Sequence, residues 1–239
     1  QLARQIQQTF LPNRLPNLPR WEMDVRWETA RQVGGDFYDI FKLGKGRLGL
    51  VIADVSDKGL PAALYMTVTR TLIRAYMHGT DSPGRVLERV NSLLLSEAQN
   101  GMFVTAVYAV LSLETGQMTY ANAGHNRPLL LRSETGEVEA LPKGGIALGV
   151  MDDVHYQEHS VAIAPCDTLL FYTDGLTEAF SIHGEAFGEE RIRQTLSAAR
   201  CSSVKELLED TDRAILEFRQ GAAPSDDLTL LAVRRLPEE

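Results

Sequence analysis

The sequence predicts an α+β domain in which two central, mostly antiparallel sheets pack as a sandwich with helical layers outside. Three observations lead there. Apolar strands recur along the chain and are joined by short turns, which makes their pairings antiparallel. Helical periodicity comes in two separate blocks, so the helices cover separate faces. Finally, 239 residues with 44% hydrophobic content suffice for a sizeable core without staples.

Each element has its own signal. Leu2, Ile6 and Phe10 recur every four residues, a short amphipathic helix. Pro12, Pro16 and Pro19 then break the chain. Residues 1–19 therefore read as a linker helix and Pro-rich connector, the helix either packing on its own domain or ending a longer connecting helix from an upstream domain, and 20–239 as the folded domain. Trp21, Met23, Val25 and Trp27 alternate with Glu22, Asp24, Arg26 and Glu28, a half-buried strand. Residues 37–43 and 48–53 are two more strands. The glycines between them match G-x-G-x-x-G, but a strand follows where a dinucleotide cradle needs a helix, so they read as a hairpin turn. Residues 60–78 read as a helix with Leu60, Leu64, Val68, Leu72 and Tyr76 on one face. Ser82-Pro83 opens the next helix as cap and first residue, and Val86, Val90, Leu93 and Leu94 follow. Strands 102–113 and 118–122 flank one Glu-Thr-Gly turn, and strands 129–132 and 138–141 flank another. Residues 161–163 and 168–173 are further strands. Two helices come next, near 189–199 and after the capping box Ser203-x-x-Glu206, whose Leu207, Leu208, Ile215 and Phe218 point inward. Residues 228–234 form the last strand.

Composition removes several functions. The net charge of −8 argues against a nucleic-acid binder, which presents a basic face. No apolar run approaches the ~20 residues of a spanning helix. Cys166 and Cys201 form no C-x-x-C pair, so neither a zinc nor a disulfide framework is implied, which suits a cytoplasmic protein.

The chemistry points to acids at strand ends. Asp36 and Asp39 frame Gly-Gly-Asp-Phe-Tyr-Asp; Asp54 ends one apolar strand and Asp174 another; Asp226 and Asp227 precede the last. Carboxylates beside a core are costly unless compensated, and a hard divalent cation is the natural compensator. Gly34-Gly35, Gly59 and Gly175 let backbone approach a ligand. Taken singly, each acid also has a turn or cap explanation. His155 and His159, four apart in an apparent strand, share a face and leave a minor metal option; His125 reads as a positioned loop residue. No Gly-x-Ser-x-Gly elbow is present, so a metal-activated water fits better than a covalent route.

These segments resemble the metal-dependent PPM (type 2C) protein phosphatases, in their bacterial SpoIIE-type branch. The matching motifs are Val33-Gly-Gly-Asp-Phe-Tyr-Asp39, Ala53-Asp-Val-Ser-Asp-Lys-Gly59, Ala121-Asn-Ala-Gly-His-Asn126, Tyr172-Thr-Asp-Gly-Leu-Thr-Glu178 and Ser225-Asp-Asp-Leu-Thr229, in the family's order. The resemblance implies a two-sheet sandwich with the metals at one edge, and catalysis by Asp36, Asp54, Asp174 and Asp226. It assigns Asp54 to bridge two Mn²⁺ or Mg²⁺ ions, Asp36 and the Val55 carbonyl to one ion, and Asp174 and Asp226 to the other. Asp227 is not expected to touch a metal, and Asp39 takes no assignment. Asp57 stands where many relatives have glycine, and Arg31 is a candidate for a phosphate clamp that is otherwise missing. The resemblance further implies a phosphoserine or phosphothreonine substrate on a regulatory protein, such as an anti-sigma-factor antagonist. It also implies a sensor domain upstream and a homodimer through the N-terminal helix. A phosphoprotein-binding or scaffolding module with a weak or unused metal site, and a hydrolase of small phosphate esters, stay open as alternatives.

Overall fold

A computed structural model describes residues 2–97, 101–200 and 202–237. The first elements are α1 (Leu2–Phe10), β1 (Trp21–Glu28), β2 (Phe37–Gly44), β3 (Arg47–Val55) and α2 (Leu60–Tyr76). Next come α3 (Pro83–Glu97), β4 (Val104–Ser112), β5 (Gln117–Ala123), β6 (Leu129–Leu131), β7 (Val138–Ala140) and β8 (Glu158–Ala162). The last are β9 (Thr168–Tyr172), α4 (Asp174–Thr177), α5 (Gly188–Ala198), α6 (Val204–Arg219) and β10 (Leu228–Arg235). The chain divides into two units woven from alternating segments. One contains Gln1–Pro16, Arg31–His125 and Pro142–Ala162; the other contains Asn17–Ala30, Asn126–Leu141 and Ile163–Glu239. Each carries a five-stranded antiparallel sheet and its own helices, so the fold is α+β as the hairpin turns predict.

The first unit holds the sheet β2-β3-β4-β5-β8. The β2–β3 hairpin turns at Lys45 and Gly46, both at positive φ, as a type I′ turn requires. The glycine-rich segment is thus a turn and not a phosphate cradle. Leu48, Leu50, Val51, Ile52 and Ala53 of β3 are all 0–1% exposed, which explains their unbroken apolar run. Gly49 lies under the Phe41 ring; a Cβ there would sit 2.1 Å from it. Helix α3 starts at Pro83 with the Arg85 N–H donating to Ser82 Oγ at 3.2 Å, and it buries Val86, Leu87, Val90 and Leu94. Helix α2 departs from expectation. Its buried residues are Ala62, Ala63, Met66, Thr69 and Ile73, while Leu60, Leu64 and Val68 are exposed. Small residues let the helix lie close to the sheet, and the large apolar stripe faces outward. Asp39, 1% exposed, ties α2 to β2. It accepts from Arg74 Nη2 at 2.7 Å and Nε at 2.5 Å, with Arg70 Nε 3.0 Å away. Burial draws the Arg70 guanidinium below its ordinary value, whereas the Asp39 hydrogen bond raises that of Arg74.

The second unit holds the sheet β1-β10-β9-β6-β7. Cross-strand neighbours Leu230 and Tyr172, Ala232 and Leu170, and Leu170 and Leu129 share one face. Helices α5 and α6 cover that face with Ile192, Leu196, Leu207, Leu208 and Ile215. The predicted capping box opens α6: Ser203 Oγ accepts from Glu206 N–H at 3.2 Å, and the Glu206 carboxylate accepts from Ser203 N–H at 2.8 Å. Strand β1 is less one-sided than its alternation predicts. Trp21 is buried, and residues 22–28 are all half-buried. Its polar face lies beside α6, where Arg26 meets Asp212 at 2.9 Å. Cys166 lies in this unit, and Cys201 lies outside the described residues. No helix among the described residues is long and apolar enough to cross a membrane.

Candidate metal centre

In the first unit, the candidate donors sit on one loop and one strand end. The segment from Val33 to Asp36 leads into β2, and Asp36 is 1% exposed. Gly35 presses against the end of β3: a Cβ there would lie 3.0 Å from the Val55 carbonyl oxygen and 3.3 Å from that of Asp57. A side chain here would press on that carbonyl, so glycine eases the approach of the Asp36 loop to Val55. The same loop is gripped by α1. Gln7, 3% exposed, donates through Nε2 to the Gly34 carbonyl at 2.6 Å and accepts from Gly34 N–H at 3.1 Å. Asp54 is half-buried near the end of β3, in register with Thr105 of β4. Asp57 is exposed, and its carboxylate accepts from Lys58 N–H at 2.7 Å. Arg31 is exposed. Asp39, left unassigned by the sequence, is the buried tether to α2 already described.

In the second unit, β9 ends at Tyr172 and the chain turns at once into the short α4, which Asp174 begins. Glu178 caps that helix one turn later. Asp226 lies in the loop before β10. One carboxylate oxygen from each of Asp174, Glu178 and Asp226 falls within 4.8 Å of the others. The structure thus brings together the predicted Asp174 and Asp226 and adds Glu178. Glu178 ends the Tyr172–Glu178 motif and has no role assigned from the sequence; its signal there is a spacing of four from Asp174, one turn of helix. Gly175 makes the cluster possible, because a Cβ there would sit 1.8 Å from the Asp227 carbonyl oxygen. Further bonds hold the two loops: Thr229 N–H to Thr173 Oγ1 at 3.0 Å, and Ser225 Oγ to the Glu178 carbonyl at 2.9 Å. Asp227 is 6% exposed and its carboxylate accepts from Ala30 N–H at 2.8 Å. It lies outside the cluster and braces the loop.

Three carboxylates this close repel by about 1–3 kcal/mol per pair under water-like to surface-like screening. Hard, oxygen-only donors, half-buried to exposed, fit a hard divalent cation that removes this repulsion. The histidine option is not supported. Strand β8 begins only at Glu158, so His155 precedes it and pairs with Glu88 at 2.6 Å, while His159 stacks on Tyr120. Neither belongs to a group of three or more potential metal ligands among the described residues.

The family model described as Stage II sporulation protein E (SpoIIE) matches residues 44–236. Protein IcfG of Synechocystis sp. is 35% identical over 260 residues, covering 98% of this chain and 41% of IcfG. Phosphoserine phosphatase RsbU of Bacillus subtilis is 27% identical, covering 98% of this chain and 69% of RsbU. Among solved structures, the SiaA-PP2C domain of Pseudomonas aeruginosa has a TM-score of 0.87 at 25% identity, covering 98% of this chain and 94% of that one. The chain therefore spans about two fifths of the length of IcfG.

Proposed function

Because this chain belongs to the SpoIIE family, whose model covers residues 44–236, we propose that it is a metal-dependent protein serine/threonine phosphatase of the PPM type. The observation that carries this reading is the cluster of Asp174, Glu178 and Asp226 carboxylates in the second unit. The likeness to RsbU, which is named a phosphoserine phosphatase, supports a phosphorylated serine as substrate.

In this reading Asp174 and Asp226, joined by Glu178, hold one Mn²⁺ or Mg²⁺ ion, and Asp36, Asp54 and the Val55 carbonyl hold another. Bound ions of this class acidify water and offset charge on phosphoryl oxygens. The chain's own part is to keep the donors in place before substrate arrives. Gly35 and Gly175 permit the close backbone approaches, Asp227 braces the loop that carries Asp226, and Gln7 grips the loop that carries Asp36. Glu178 is exposed and Asp174 and Asp226 half-buried, so a phosphoester on a protein surface can reach them.

The substrate in this reading is a phosphoserine or phosphothreonine on a cytoplasmic regulatory protein, such as an anti-sigma-factor antagonist. Residues 1–19 join the domain to an upstream sensor. The exposed Leu2 and Ile6 of α1 support a homodimer contact there.

The test is hydrolysis of p-nitrophenyl phosphate against added Mn²⁺. Turnover should rise with Mn²⁺, disappear with EDTA, and be abolished in Asp54→Asn while that variant still unfolds cooperatively. Undiminished turnover in Asp54→Asn, or turnover indifferent to Mn²⁺ and EDTA, overturns the assignment.

A further inference from the structure

We propose that His125 is a positioning residue for the Asp54–Val55 strand end, acting through the Thr105 hydroxyl; this rests on the reading of Asp54 and the Val55 carbonyl as metal donors. The Ala-Asn-Ala-Gly-His-Asn motif stood out in the sequence, and the proposed chemistry leaves it without a task. In the structure His125 is 4% exposed, and its Nδ1 lies 2.8 Å from Thr105 Oγ1. Thr105 Oγ1 in turn donates to the Asp54 main-chain carbonyl at 3.4 Å, a long bond. With the hydroxyl hydrogen directed to Asp54, the Thr105 oxygen accepts from His125, so the relay requires the Nδ1–H tautomer of the imidazole.

The main chain that carries the imidazole is held on both sides. Asn122 Oδ1 accepts from His125 N–H at 2.8 Å, and Asn122 Nδ2 donates to the His125 carbonyl at 3.0 Å. The Asn122 carbonyl accepts from Gly145 N–H at 2.9 Å, and Gly144 packs so tightly that a Cβ there would lie 1.9 Å from that carbonyl. A loop so thoroughly braced is a fixed post. Successive carbonyls of a strand point to opposite sides. The β3–β4 pairing points the Asp54 carbonyl toward Thr105 and the Val55 carbonyl the other way, toward Gly35 and the Asp36 loop, and the Thr105 hydroxyl adds a second donor that steadies this strand end. The relay thus helps to hold a proposed metal donor that it never touches.

The experiment uses the full 239-residue chain, with Mn²⁺ binding read by calorimetry and by the Mn²⁺-induced rise in Tm. His125→Ala and Thr105→Val should each raise the Mn²⁺ Kd by about 10- to 100-fold, the usual cost of removing such a support. The double variant should be no worse than the weaker single, since both cut one relay. His125→Asn, which returns an N–H near the Nδ1 position, should recover most of the affinity; His125→Gln, which places its amide near the Nε2 position, should not. Thr105→Ser should bind like the parent. Wild-type Mn²⁺ affinity in His125→Ala or Thr105→Val, while Asp54→Asn has lost binding, overturns the relay alone. Intact binding in Asp54→Asn overturns the metal assignment and the relay with it. If His125→Ala does not fold, the near-isosteric Thr105 pair decides.

Discussion

At the scale of single residues, glycine matters as much as aspartate. Gly175 stands so close to the Asp227 carbonyl that an added methyl would lie 1.8 Å from it. Gly175→Ala must therefore push the loop carrying Asp226 away from Asp174. We expect its Mn²⁺ affinity to fall at least tenfold by calorimetry, with a smaller loss of Tm; unchanged affinity would detach that loop from metal binding. The aspartates were legible in the sequence because a carboxylate abutting an apolar strand is visible in one dimension. Glu178 was not, because its partnership with Asp174 arises from a single helical turn, too short to show any periodicity. The sequence set Asp227 apart from its neighbour Asp226 only as an expectation; in the structure Asp227 accepts from Ala30 N–H.

At the scale of elements, α2 carries the main lesson. Sequence reading gives weight to large side chains, and Leu60, Leu64 and Val68 do form a stripe. The structure exposes that stripe and docks the helix through Ala62, Ala63, Met66 and Thr69, with Asp39 clamping its far end to β2. Nothing in one dimension marks an Asp–Arg pair 35 positions apart as a clamp. Asp39→Ala should cost about 3 kcal/mol, read as a lower urea midpoint at unchanged m-value, because it strands the mostly buried Arg70 without its anion. The partial exposure of Arg74 keeps the expected loss at the low end of the buried-pair range. A loss below half a kcal/mol would show that the clamp is ornamental. By contrast, the capping box of α6 and the glycine turns of the hairpins were fully legible, because their chemistry is local.

At the scale of the whole molecule, buried phenols set the alkaline limit. Burial raises the pKa of Tyr65, Tyr108 and Tyr156, and lifts that of Tyr172 from 10.0 to about 12. Well below pH 10 folded and unfolded chains hold the same phenolic protons. Between pH 10 and about 12 the unfolded chain releases protons that the folded chain keeps, so stability must fall as pH rises. Urea midpoints at pH 9, 10 and 11 should decline progressively; a flat series would contradict the burial of these rings. Another consequence lies in the pairing of β1 with β10, where Trp21 faces Arg235 and Glu28 faces Leu228. Nearly the entire polypeptide separates these partners, and β9 depends on the same final strand. During translation an early strand must leave the ribosome unpaired and wait, edge open, until the last one follows. Such long-range closure slows folding and exposes the nascent chain to chaperones or self-association. Ribosomes that stall before Leu228 would release a product whose second sheet lacks the strand that joins β1 to β9.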